Sequence, residues 1–286
     1  MYVLCCPCIQ NPKLRAKGIT TPNDLVLFER CIERCKKFGI EIVPLPCPET
    51  VYLGPERGPG TFLERLHTPA FTRLLDTLEA QANELIEQRG KPHFILGVNS
   101  SPTCGVTSTY YGSVDNEPPK REGRGVFFAR FPGIKAVDVN AFARYRIYLA
   151  APLFSEAERD YNRVIAGLLT ENFFDVYLPQ DTGDTHAERS IDEHRRIFEQ
   201  NKNALESADA VVAIIDGADA DSGTAWEMGY AAAQGKPVIA IRTDFRTVGH
   251  SELVNLMLEQ SSVVVKSKDE LLAALGFSTT ERSVRQ

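Results

Sequence analysis

Runs that are apolar at every position constrain this chain most. VVAII (Val211 to Ile215) and PVIAI (Pro237 to Ile241) have no polar face to give to water, so they suit parallel strands covered by helices on both sides. Segments of helical period separate such runs, and strand, helix, strand in that order predicts parallel pairing through right-handed crossovers. The rhythm occurs twice. In the front half Tyr2 to Leu4, Ile40 to Leu45 and His93 to Val98 read as strands, and Asp24 to Phe38 and Pro69 to Gln88 as helices. Pro46 to Gly60 reads as a Pro/Gly-rich loop, and Val126 to Phe131 as a weaker strand or helix. Pro132 to Asn140 shows no period, which puts a boundary near residue 143. Beyond it, strands are expected at Tyr145 to Ala150, Phe174 to Leu178, Ala210 to Ile215 and Val238 to Ile241. Helices are expected at Ser155 to Leu169, Ile191 to Ser207 and Ser222 to Gln234, with Val263 to Val265 and Asp269 to Leu275 closing the pattern.

A chain of 286 residues has room for about two cores. The expected fold class is α/β: two open, mainly parallel, doubly wound domains of Rossmann or flavodoxin-like type, residues 1–143 and 144–286. With 32 Lys and Arg against 38 Asp and Glu, the net charge is −6, and no basic block exceeds Lys36-Lys37. That leaves no electrostatic footprint for a phosphate backbone and excludes nucleic acid as the expected partner. The first residues carry no basic stretch before an apolar core, and no span of about 18 apolar residues occurs. A cytoplasmic protein without membrane contact is the expectation. In that reducing compartment seven cysteines read as thiols, metal ligands or catalysts rather than a disulfide framework.

All seven cysteines fall in the first 104 residues. In an open parallel sheet, ligands collect beyond the carboxyl ends of the strands near the switch point of the strand order. Cys8 lies just past the first expected strand, Cys47 just past the second and Cys104 a few residues past the third. Three distant thiols would therefore meet at one edge. Such a set suits an iron–sulfur cluster held by three thiolates, leaving one iron open. A closed zinc site normally wants four ligands, and Cys5 or Cys6 could supply the fourth. Buried, inert thiols are the plain alternative. Cys31 and Cys35, four residues apart on one helical face with Phe28, read as core.

The segments CPCIQNP, LPCPETVYLG with a following HTPAF, and LGVNSSPTCGV resemble the thiouracil desulfidase-related family over residues 1–130. The resemblance implies a 4Fe-4S cluster on Cys8, Cys47 and Cys104, its open iron taking sulfur from a thiolated nucleobase or similar small molecule. Cys5 and Cys6 compete with Cys8 for the first place. Glu49 and Ser101, beside these cysteines, are candidates for proton donor and substrate anchor. They are equally candidates for capping the loop after Pro48 and forming the turn with Pro102.

The segment DAVVAIIDGADADSGTAWEMGYAAAQG, Asp209 to Gly235, carries the rear half's chemistry. A strand runs into a loop holding Asp216, Asp219 and Asp221, and then a helix starts. Asp221 is well placed to cap that helix on an amide of Gly223 or Thr224. Glu227 has small residues one turn away on either side, Gly223 and Ala231, so its carboxylate would stand in a hollow. The positive end of the helix is expected to keep it ionised. An ionised carboxylate at a strand-end crevice is equipped to attack an anomeric carbon and hand the sugar to an acceptor. A surface glutamate is the plain alternative.

YLAAPLFSEAERDYN (from Tyr148), VVAIIDGADADSGTAWEMGYAAAQGKPVIAI (Val211 to Ile241) and Asn255-Leu256-Met257 resemble nucleoside 2-deoxyribosyltransferases and their N-glycosidase relatives over residues 145–276. The resemblance implies Glu227 as nucleophile, Asp221 as the carboxylate binding sugar hydroxyls and Tyr148 as the residue orienting the nucleophile. Ala151, Pro152, Leu153 and Phe154 would supply base-side contacts. Asp216, Asn201 and Gly223 join them as substrate-binding candidates. It also implies a homo-oligomer, and no cofactor in this domain. Two departures stand out: Asn201 where the family has an Asp that protonates the departing base, and Ala151 where it has Gly. Loss of general acid help typically costs about 100-fold. Asp181, Asp192 and Glu193 are the available substitutes.

GPERGPG (Gly54 to Gly60) lacks the GK[ST] ending of a P-loop, and no GxGxxG opens a helix. The histidines (His67, His93, His186, His194, His250) make no metal-spaced pair and read as solvated or locally bonded. The combined expectation is an enzyme acting on a small nucleobase or nucleoside: N-glycosidic cleavage or deoxyribosyl transfer, fused to an iron–sulfur desulfidase-like domain. The alternative is a nonenzymatic nucleotide or nucleoside sensor with a structural metal site in front.

Overall fold

The computed structural model describes residues 1–112, 120–182, 190–247 and 252–277; His186 and His250 lie outside them. It divides into two units, Met1–Ala143 and Arg144–Gln286.

The first unit runs β1 (Tyr2–Cys5), α1 (Pro22–Lys37), β2 (Glu41–Pro44), α2 (Pro48–Leu53), α3 (Phe62–Arg65), α4 (Pro69–Arg89), β3 (Ile95–Gly97), the antiparallel pair β4 (Ser108–Tyr110) and β5 (Lys120–Glu122), β6 (Ala136–Asp138) and α5 (Val139–Ala143). Its sheet has the order β2-β1-β3-β6, parallel throughout. β1 is apolar and wholly buried, as a central strand covered on both faces must be. Phe28 and Cys31 of α1, Phe71 of α4, and Phe127 and Phe128 are all buried. Arg34 is buried too; its guanidinium lies over the Phe142 ring at 4.3 Å and donates to the Phe142 carbonyl at 2.8 Å, so the charge does not go unpartnered. Cys31 and Cys35 are buried in this core, and Cys31 Sγ donates to the Val139 carbonyl at 3.5 Å.

The second unit runs β7 (Arg146–Ala150), α6 (Glu156–Glu171), β8 (Asp175–Tyr177), α7 (Ile191–Ser207), β9 (Ala210–Ile214), α8 (Ser222–Ala233), β10 (Val238–Ile241), α9 (Leu256–Gln260), β11 (Val263–Val265) and α10 (Lys268–Ala274). Its sheet has the order β11-β10-β9-β7-β8, again parallel. Counted from its own first strand, each sheet reverses direction beside that strand, as in flavodoxin-like folds. The expected α/β class with mainly parallel, doubly wound sheets is what the chain adopts. No helix among the described residues is long and apolar enough to cross a membrane.

Helix starts follow local chemistry. Reciprocal capping boxes open α1 (Thr21 with Asp24), α6 (Ser155 with Glu158) and α7 (Ser190 with Glu193). Two segments depart from expectation. The stretch expected as loop, Pro46 to Gly60, contains α2, whose cap is Cys47: its sulfur accepts from the Thr50 amide at 3.5 Å. Sulfur is a weak acceptor and gives no conventional start signal. The aperiodic Pro132 to Asn140 holds the fourth strand, β6, whose three residues are too few to display alternation. Val126 to Phe131 contributes a 3-10 turn, Phe128–Arg130.

Leu4 sits fully buried in the central strand of the front sheet. Leu4→Ala should cost the front unit about 3 kcal/mol, seen as a lower urea midpoint at unchanged slope.

Candidate functional site

In the front unit the chain leaves β1 and β3 at the switch point. A cavity of about 570 Å³ opens there, and Cys6, Cys8, Cys47, Cys104, Glu49 and Ser101 all line it. Cys6 and Cys8 come from the turn after β1, Cys47 and Glu49 from the start of α2, and Ser101 and Cys104 from the turn after β3. That last turn is built by side chains. Asn99 Oδ1 accepts from the amides of Val106 at 3.0 Å and Thr107 at 2.9 Å, and Ser101 Oγ accepts from the Cys104 amide at 3.1 Å. Gly105 is required by close approach, since a Cβ there would lie 2.6 Å from the Ser108 carbonyl oxygen.

The thiols differ in character. Burial pushes the Cys6 thiol well above its usual range, and hydrogen bonds to Cys104 and Cys8 add to this. Cys8 is held lower, chiefly because Cys6 hydrogen-bonds to it, with the Arg15 guanidinium helping against burial. Burial raises Cys47 to about 11. Among the described residues no three His, Cys, Asp or Glu side chains are arranged to hold a single metal ion.

Glu49 is fixed from both sides. Its Oε1 accepts from Ser101 Oγ at 3.2 Å and Thr103 Oγ1 at 2.9 Å, and its Oε2 lies 3.4 Å from Arg57 Nε. Arg57 is buried and spends its other nitrogens on the Leu14 carbonyl at 2.8 Å, Thr50 Oγ1 at 2.9 Å and Cys47 Sγ at 3.8 Å. Arg57 and Thr103 escaped the sequence reading. Arg57 lies inside GPERGPG, whose glycines draw attention as a phosphate loop, and Thr103 sits between Pro102 and Cys104 with no spacing to mark it.

In the rear unit Tyr148 lies on β7, fully buried, and its hydroxyl donates to Glu227 Oε1 on α8. Burial raises the Glu227 carboxyl from its ordinary 4.5 to about 7, the charge of Asp221 adds to this, and the Tyr148 hydrogen bond opposes it. The expectation that the helix front keeps Glu227 ionised is corrected: desolvation outweighs the dipole here. Burial, and then the Glu227 carboxylate, raise Tyr148 as well.

Asp221 caps α8, its Oδ2 accepting from Thr224 N at 3.0 Å and Thr224 Oγ1 at 3.3 Å. Gly223 sits against it; a Cβ there would lie 3.1 Å from Asp221 Oδ2. Tyr177, the register partner of Tyr148 on β8, stacks on it with ring centroids 5.4 Å apart. Its hydroxyl donates to Asn201 Oδ1 at 2.8 Å, which links Asn201 to Glu227 through two rings. Tyr177 was also missed, although paired tyrosines at matching positions of adjacent expected strands were a usable signal.

Ala151, Pro152 and Leu153 are half-buried after β7, while Phe154 is 73 % exposed. Asp216 is committed elsewhere: its oxygens accept from Thr243 N at 2.6 Å, Thr243 Oγ1 at 2.7 Å and Asp244 N at 2.8 Å, bracing the chain after β10. Of the substitute acids, Glu193 is engaged in the α7 capping box, and Asp181 and Asp192 are exposed.

A carboxyl raised from 4.5 to about 7 has a definite effect on stability. Below 4.5 both folded and unfolded chains hold the proton; between 4.5 and 7 only the folded chain does, and stability falls as pH rises through this window. Glu227→Gln should therefore unfold like the parent at pH 4 and be more stable at pH 8 by roughly 3 kcal/mol, measured by urea titration at the two pH values.

An uncharacterized protein of Methanocaldococcus jannaschii is 24 % identical over 144 residues, 49 % of this chain and 78 % of that one. Among solved structures, a 2-deoxyribosyltransferase from Bacillus psychrosaccharolyticus is 24 % identical, covering 48 % of this chain and 99 % of its own at a TM-score of 0.41. A 4Fe-4S-dependent thiouracil desulfidase is 21 % identical, covering 48 % and 89 % at a TM-score of 0.32. The family model for nucleoside 2-deoxyribosyltransferase matches residues 147–268, so the C-terminal half of this chain carries a domain of that family.

Proposed function

We propose that this protein processes nucleosides with thiolated bases: the rear domain cleaves or exchanges the N-glycosidic bond, and the front domain removes sulfur from the base. The observation that carries the first part is the hydrogen bond from Tyr148, buried on β7, to the half-buried Glu227 of α8, inside a domain of the deoxyribosyltransferase family. Glu227, once ionised, attacks the anomeric carbon and the base leaves; water or a second base then takes the sugar from Glu227. Tyr148 orients the attacking oxygen. Asp221 keeps Oδ1 for a sugar hydroxyl while Oδ2 caps the helix. Ala151 to Phe154 form the base side. Gly223 leaves room beside Asp221, and Asp216, occupied as a brace, is left out of the site.

Asn201 carries no acidic proton. Its amide donates a hydrogen bond to the base without protonating it, which favours bases that depart as stabilised anions. Thiolated pyrimidines meet that requirement, because sulfur spreads the negative charge.

The front cavity supports a 4Fe-4S cluster on Cys8, Cys47 and Cys104. A cluster spreads its thiolates over separate irons, which suits thiols that come from three separate turns around one cavity. When bound, the cluster would supply one iron without a protein thiolate, a seat for the sulfur of the base. Cys6, buried in the same turn as Cys8, packs against the set. Ser101 and Glu49 anchor the base and handle the proton as water replaces sulfur. The net change exchanges C=S for C=O and releases sulfide without redox change.

Anaerobically purified protein should contain about four irons per chain and release free base and sulfide from thiodeoxyuridine. Absence of both products refutes the reading, and Glu227→Ala should abolish base release while sparing sulfide release from the free base. Base release by the parent should rise with pH through about 7 as Glu227 ionises. Tyr148→Phe removes the hydrogen bond that holds that carboxyl down and should move the rise to higher pH, visible in a kcat/KM profile.

A further inference from the structure

The hydrogen bonds in the wall of the front cavity give one residue a place that neither the cysteine motifs nor the proposed chemistry assigns. Thr103 is fully buried. Its hydroxyl lies 2.9 Å from Glu49 Oε1 and 3.4 Å from Cys104 Sγ, with Ser101 Oγ at 3.3 Å. A threonine hydroxyl has one proton to donate and two lone pairs. While Cys104 is a thiol, its S–H can donate to Thr103, and the threonine proton is spent on Glu49. A sulfur that has become a metal ligand has no proton to give. Sulfur and carboxylate must then share the single Thr103 proton, and Ser101, 3.2 Å from Glu49 Oε1, can fill the place Thr103 vacates.

We propose that Thr103 is a positioning residue that couples the Cys104 sulfur to the Glu49 carboxylate through its one hydroxyl proton. The inference rests on the cluster reading above and deepens it. Turning toward sulfur, Thr103 stabilises the electron-rich ligand and leaves Glu49 to Ser101. Turning toward Glu49, it holds that carboxylate in place against the substrate. The two groups thus respond to each other although they come from different strand ends.

The test uses the full chain reconstituted anaerobically with iron and sulfide, comparing the parent with Thr103→Val, Thr103→Ser and Thr103→Ala. Iron per chain, midpoint potential by dye-mediated titration, and sulfide release from 2-thiouracil are read for each. Thr103→Val keeps the shape and loses the hydroxyl. It should load iron like the parent, shift its midpoint to more negative potential because a hydrogen bond to a ligand sulfur is lost, and release sulfide about tenfold more slowly or worse. Thr103→Ser should restore both. Should the valine variant fail to fold, Thr103→Ala is expected to show the same negative shift. A loaded valine or alanine variant with the parent's potential and rate overturns the inference and leaves the cluster reading standing. So does a serine variant as impaired as valine, since packing by the methyl would then be the cause. A parent that takes up no iron overturns both.

Discussion

Each sheet reverses direction beside its first strand, and everything functional in either half depends on that reversal. Helices that cross from such a strand must go to opposite faces, so the loops that follow the two neighbouring strands part and leave a crevice. In the front half a cavity receives the turns after β1 and β3; in the rear half the same topology sets Tyr148 of β7 against Glu227 of α8. Apolar strands buried on both faces make the floor rigid. Side chains that would otherwise be scattered over a hundred residues become neighbours by topology alone.

What fills the two crevices differs in a physically instructive way. The front one gathers sulfur and a clamped carboxylate, with Arg57 and Thr103 gripping Glu49 from opposite oxygens. The rear one desolvates a carboxylate and restrains it with a tyrosine that is itself covered by a second ring. One site organises groups by hydrogen-bond saturation, the other by withholding water. Withholding water from a carboxylate opposes its ionisation, so the second strategy works against stability once the group is charged.

Much of this was legible from residues alone. β9 and β10 announce themselves as VVAII and PVIAI because two-sided burial leaves no alternation to misread, and α7 starts where Ser190 and Glu193 close a capping box. Cys8, Cys47 and Cys104 fall beyond three strands on the sequence pattern alone. The remainder was hidden for specific reasons. α2 begins on a cysteine, which no helix-start rule recognises, and β6 has three residues, too few to show a period. The ionisation of Glu227 was misjudged because a dipole argument sees the backbone and not the apolar surroundings that Met228, Tyr148 and their neighbours provide. Thr103 and Tyr177 belong to hydrogen-bond chains between segments far apart in sequence, and such chains leave no local pattern.

The position of the unit boundary has a consequence for inheritance. Every strand of the front sheet precedes Arg144 and every strand of the rear sheet follows it, so each ladder is closed with strands of its own. A gene joined or split at that codon would interrupt no pairing. The two halves can therefore be gained, lost or repaired one at a time, and a lineage that dispenses with one could keep the other's sheet whole.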